Sequence, residues 1–236
     1  MSRRAANVLL GLVLCFLPCG LSDADVTTKA NLDLPYNAFG VSEEEELAPE
    51  VIYFFGQSYE SDAIVFALDE SGSMNDNNRW TMQTREVVRA MTQLSEVAEF
   101  GLVYYSSGVK TFRNTPVSAT SDNTGSAVAF INSRRPAGDT CLFEGLERAL
   151  QIVNRSTAKR RAVVVTSDGM PDFCQTGHRL TEGQMEAALA RSLALNAGVK
   201  ATVHTIWVGA GTDRMAIQFM QRLARAHGGT FKLVNQ

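Results

Sequence analysis

From residue 62 onward, continuous apolar stretches alternate with amphipathic ones, and this pattern constrains the fold more than any other feature. Ile64-Val65-Phe66-Ala67-Leu68 runs without interruption to Asp69, as in a strand covered on both faces. Val87, Val88, Met91, Leu94 and Val97 then recur at helical spacing, which predicts a helix over 80–97. Strands are predicted over 100–105 and 109–113, joined by Ser106-Ser107-Gly108, a turn short enough to make the pair antiparallel. Helices are expected at 124–132, 142–154, 181–196 and 213–226, and further strands at 162–166, 201–208 and 229–234. Parallel strands need long crossovers, and helices supply them. The expectation is therefore an α/β fold: a doubly wound, mostly parallel sheet with one antiparallel edge strand and helices on both faces.

The stretch before this pattern reads differently. Arg3 and Arg4 precede an apolar run from Val8 to Leu17, followed by small and polar residues, which predicts a secretory leader over 1–24. Pro18 and Gly20 end the run well short of the roughly 20 apolar residues that span a bilayer, so no membrane span is expected after cleavage. The mature chain is expected to be secreted, periplasmic or extracellular. Residues 25–60 lack sustained periodicity and carry the run Glu43-Glu44-Glu45-Glu46, which reads as an acidic arm. Within it Val51-Ile52-Tyr53-Phe54-Phe55 is too apolar for a linker and fits a strand or a segment clamped onto the domain that follows, 61–236. The 22 Lys and Arg residues are outnumbered by 25 Asp and Glu, and no basic stripe occurs, which argues against nucleic acid as a partner.

In a doubly wound sheet, ligands bind beyond the carboxyl ends of the strands, where strand order reverses. The polar residues expected there are Asp69-Glu70-Ser71-Gly72-Ser73, Gly138-Asp139-Thr140 and Asp168-Gly169. Asp69, Ser71 and Ser73 fall at alternate positions, so an extended loop turns all three the same way. Together with Thr140 and Asp168 they offer two carboxylates and three hydroxyls, an oxygen-only set that suits a hard cation such as Mg²⁺, Mn²⁺ or Ca²⁺. Each piece also has a plain reading, since Asp, Ser and Gly favour turns and Thr caps helices. An EF-hand fails because Met74 and Trp80 stand where Gly and Glu are required.

This constellation resembles the metal-ion-dependent adhesion site of von Willebrand factor type A domains. The resemblance rests on Asp69-x-Ser71-x-Ser73, Thr140 before a helix and Asp168-Gly169 after an apolar strand, and it extends over about residues 61–236. It implies that Asp69, Ser71, Ser73, Thr140 and Asp168 bind a divalent ion, which bridges to an acidic residue of a protein partner; it implies no enzyme. A Mg²⁺- or Mn²⁺-dependent hydrolase using the same crevice, and a structural component of an envelope assembly, are the alternatives. Asp139 beside Thr140 and Ser167 beside Asp168 depart from the commonest family pattern. If the loops converge on one ion, Cys141 and Cys174 are candidates for a disulfide that ties the threonine loop to the aspartate loop; the plain alternative is two separate buried small side chains.

Overall fold

The computed structural model describes residues 48–172, 174 and 178–235. The leader expected over 1–24 and the Glu43–Glu46 run lie outside the described residues. Two strands come first, β1 (Val51–Phe54) and β2 (Gln57–Glu60), paired as an antiparallel hairpin. The central sheet has seven strands: β3 (Ala63–Asp69), β4 (Glu99–Tyr105), β5 (Val109–Thr111), β6 (Val117–Ser118), β7 (Arg161–Ser167), β8 (Thr202–Val208) and β9 (Phe231–Val234). Their order is β5-β4-β3-β7-β8-β9. The neighbours from β4 to β9 are parallel, while β5 and β6 both pair antiparallel with β4. The helices are α1 (Arg79–Thr92), α2 (Ser121–Asn132), α3 (Leu142–Val153), α4 (Glu182–Asn196) and α5 (Arg214–Ala226).

Every residue of β3 is buried, as its unbroken apolar run demands, and alternate side chains feed two separate cores. Val65 and Ala67 join Leu146 and Leu150 of α3, Met185 of α4 and Phe219 and Leu223 of α5. Ile64, Phe66 and Leu68 point the other way, to Val87 and Met91 of α1 and Ile131 of α2. Among the described residues, that second face has two helices. The β1–β2 hairpin completes it, with Ile52, Phe54 and Tyr59 almost fully buried beside Ile206 and Val208 of β8.

Three expectations need correction. Residues 51–60, assigned by sequence to the arm, belong to the domain, because alternating burial in β1 drives Ile52 and Phe54 into its core. The first long helix stops at Thr92, leaving Val97 81% exposed outside it. The antiparallel edge also has two short strands where one was expected, because residues 109–118 run back once along β4 and lose strand pairing between Thr111 and Val117. The buried hairpin gives a direct test. Phe54→Ala should destabilise the domain by about 3–5 kcal/mol, the range for truncating a core aromatic, as measured by urea unfolding; a loss below about 1 kcal/mol would return residues 51–60 to the arm.

Candidate metal centre

Strand order reverses between β3 and β7, because β4 lies to one side of β3 and β7 to the other. The carboxyl ends of these neighbouring parallel strands carry Asp69 and, just beyond β7, Asp168. Asp69 is fully buried. Its Oδ1 accepts the Ser71 backbone N–H at 2.7 Å and its Oδ2 accepts the Ser167 hydroxyl at 3.0 Å. Burial, reinforced by the charge of Asp168, raises the Asp69 carboxyl to about 7. Ser167, read in sequence only as a departure from pattern, thus steadies the second oxygen of Asp69.

The loop after β3 turns through a 3-10 segment, Gly72–Asn78. The Ser71 and Ser73 hydroxyls lie 3.1 Å apart, and Ser73 Oγ donates to Asp168 Oδ1 at 2.7 Å. The other oxygen of Asp168 receives Arg79 Nη1, also at 2.7 Å. Thr140 precedes α3, and its Oγ1 lies 3.6 Å from where a Cβ on Gly169 would stand, so the threonine loop rests against the aspartate loop. Ser71, Ser73, Thr140 and Asp168 line one crevice of about 420 Å³, with Asp69 just beneath Ser71. The structure therefore gathers oxygens from three loops around two carboxylates whose mutual repulsion calls for a cation, and in donor chemistry the set fits a divalent ion.

Several residues that hold this arrangement escaped the sequence reading. Gln83 of α1 is fully buried, and its amide donates to the Asp69 carbonyl at 2.8 Å while its carbonyl accepts the Thr166 hydroxyl. The available signal was a polar residue four before Val87 on the apolar stripe of that helix. Glu70 points away from the crevice and is almost fully buried. Its carboxylate accepts the Arg135 N–H at 3.1 Å, with Lys110 and Arg134 at 3.7 and 3.9 Å, and its carbonyl accepts the Ala137 N–H. Glu70 thus anchors the segment leading to Thr140. Asp139 is held by Ser107, which donates to its carboxylate at 2.9 Å and accepts its backbone N–H at the same distance.

A second polar constellation lies elsewhere. Ser192, His227 and Asn196 are buried in a row, with Ser192 Oγ 3.0 Å from His227 Nε2 and Asn196 Nδ2 2.9 Å from Nδ1. Only the asparagine amide has hydrogens to give Nδ1, and Ser192 already donates to the Leu189 carbonyl. The imidazole is therefore neutral and donates from Nε2, the reverse of what an activated serine needs. Burial also holds the His227 pKa below its usual value. His227 stands at the end of α5, where a cation would complement the helix dipole, but the ring is a neutral clip between helices.

Cys141 and Cys174 are joined sulfur to sulfur, with Cα atoms 5.2 Å apart and a sequence separation of 33. The Asp172 N–H also donates to the Thr140 carbonyl, so the two loops are held by covalent and hydrogen bonds together. Replacing both cysteines by serine should cost about 3–4 kcal/mol of stability on the chain-entropy account, read from urea unfolding under non-reducing conditions. A double variant as stable as the parent would mean that the bridge does not constrain the unfolded chain.

The sequence profile of the von Willebrand factor type A domain matches residues 64–170. The human inter-alpha-trypsin inhibitor heavy chain H4 is 24% identical over 181 residues, 73% of this chain. The mouse heavy chain H2 is 32% identical over 119 residues, 46% of this chain. The chain spans 18% of the length of heavy chain H4 and 12% of heavy chain H2. Among solved structures, a von Willebrand factor type A protein from Catenulispora acidiphila superposes with TM-score 0.63 at 18% identity, covering 76% of this chain and 40% of its own. The vWF domain of the type V pili tip protein Mfa5 from Porphyromonas gingivalis gives TM-score 0.59 at 14% identity, covering 73% and 89%. The profile match over 64–170 and the superposed fold together support a von Willebrand factor type A domain in this chain.

Proposed function

We infer that this domain is an exported protein-binding module that uses a divalent cation, Mg²⁺ or alternatively Mn²⁺ or Ca²⁺, to hold a carboxylate of its partner. Asp69, Ser71, Ser73, Thr140 and Asp168 hold the ion. The observation that carries the reading is the buried carboxylate pair, in which burial and the charge of Asp168 keep Asp69 protonated well above the usual range. Two apposed carboxylates ringed by hydroxyls have one evident use, which is to surround a positive charge. When bound, the ion supplies a Lewis-acidic position facing the crevice.

The protein's own contribution is rigidity. Gln83, Glu70 and Ser167 fix the backbone and the second oxygens, so the hydroxyls are held in place before any ligand arrives. Binding is favoured over hydrolysis by the same contacts: Ser71 and Ser73 hydrogen-bond each other, Ser73 donates to Asp168, and among the described residues lining the crevice there is no histidine to act as base. The structural likeness to a pilus tip domain and the sequence similarity to inter-alpha-trypsin inhibitor heavy chains support a role in protein interaction. Export rests on the leader at 1–24. Among the described residues, no helix is long and apolar enough to cross a membrane.

Asp69→Asn separates charge from shape. Asparagine can still accept the Ser71 N–H, while its amide faces the Ser167 oxygen, which is free to donate to Gly169 instead. Removing a buried charge beside Asp168 should leave the melting temperature in EDTA equal or higher. Mn²⁺ affinity should fall by more than the roughly 10–100-fold that loss of an outer partner costs. Calorimetric titration with MnCl2 checks this; unchanged Mn²⁺ affinity would remove Asp69 from the ion's ligands.

A further inference from the structure

Arg79 occupies its place against several local preferences. It opens α1, the helix end at which the macrodipole disfavours a cation, and no acidic residue stands in that first turn. Asn77 and Asn78 before it both take left-handed backbone, with φ of 50° and 58°, which asparagine tolerates better than most residues. Across the crevice Gly209 has φ 141°, and a Cβ there would come within 2.9 Å of Arg79 Nε. These features steer the guanidinium to one position. Nη1 donates to Asp168 Oδ2 at 2.7 Å and to the Ser73 carbonyl at 3.3 Å. The Asp168 side chain is fully covered and that of Arg79 is only 14% exposed, so this is not the solvent-screened pair whose contribution is small.

We propose that Arg79 is a tethered cation that shares Asp168 with the divalent ion, limiting metal affinity and leaving the ion and its two carboxylates incompletely neutralised for a partner's carboxylate. The inference rests on the divalent-ion reading given above. Asp168 has two oxygens, one taken by Ser73 Oγ and the other by Arg79, so an ion that draws on Asp168 competes with the guanidinium for the same charge. Asp69 and Asp168 alone would neutralise a divalent ion. With Arg79 offsetting one of them, the ion and its immediate partners keep a single positive charge, which a lone carboxylate answers, while Asp139, Asp172, Asp213 and Arg179 lie farther along the same crevice. The same guanidinium offsets the repulsion between Asp69 and Asp168 when the ion leaves, so the loops keep their shape.

Titration of the full chain with MnCl2, alongside melting in EDTA, tests this with wild type, Arg79→Gln and Arg79→Lys. The Gln variant should bind Mn²⁺ about tenfold tighter or more and melt lower in EDTA. The Lys variant keeps the charge and should stay within about threefold of wild type. Should the Gln variant be too unstable in EDTA to titrate, the rise in its melting temperature on saturation with Mn²⁺ gives the same answer, and it must exceed the wild-type rise. Equal or weaker binding by the Gln variant, an equal or smaller rise in melting, or equal tightening in the Lys variant overturns the proposal. A wild type that binds neither Mn²⁺ nor Mg²⁺ overturns the underlying divalent-ion reading instead.

Discussion

The apposition of two carboxylates, Asp69 and Asp168, at the ends of adjacent parallel strands governs the rest of this site. Like charges held together in a covered position are costly. The surrounding contacts offset that cost one by one. The Ser71 N–H and the Ser167 hydroxyl stabilise Asp69, while the Ser73 hydroxyl and the Arg79 guanidinium stabilise Asp168. Neither set suffices to hold Asp69 in the ordinary carboxylate range, and its carboxyl is pushed up to about 7. A site built this way is poised for a cation.

The fold creates that apposition through its topology. Because β3 and β7 are parallel neighbours in register, their carboxyl ends fall side by side. Because β3 has β4 on its other edge, the loops leaving β3 and β7 diverge from a common crevice. The threonine loop is then brought in from the β4 side. Glu70, the bond between the Gly72 N–H and the Gly138 carbonyl, and the Cys141–Cys174 link hold it there. Three segments distant in sequence thereby become one rigid rim.

Much of this was legible in the residues, for identifiable reasons. Continuous apolar runs such as Ile64–Leu68 and Ala162–Val165 announce strands buried on both faces, and a polar residue at the end of such a run marks the ligand edge. Asp69, Ser71, Ser73, Thr140 and Asp168 were read from that logic, and the structure gathers them in one place. The hairpin over 51–60 was only half legible, since its apolar patch was visible but nothing local says which face of a distant sheet it completes. Glu70 was missed because a side chain's reach across 65 residues leaves no periodic trace, and Gln83 showed only as a polar residue on an apolar stripe, with nothing to mark its target 14 residues back. Arg79 was missed for the opposite reason: an arginine at a helix start looks like an ordinary solvated residue, and only the geometry of Asn77, Asn78 and Gly209 reveals where it is aimed.

We infer that the buried carboxylate pair holds a divalent ion. Anomalous diffraction from crystals grown with Mn²⁺ examines it most directly. The account predicts one strong peak in the crevice, within about 2–2.5 Å of the Ser71 and Ser73 hydroxyls and within reach of Thr140 and Asp168. A crystal whose Mn²⁺ peaks all lie elsewhere, with Ser73 and Arg79 still bound to Asp168, would contradict it.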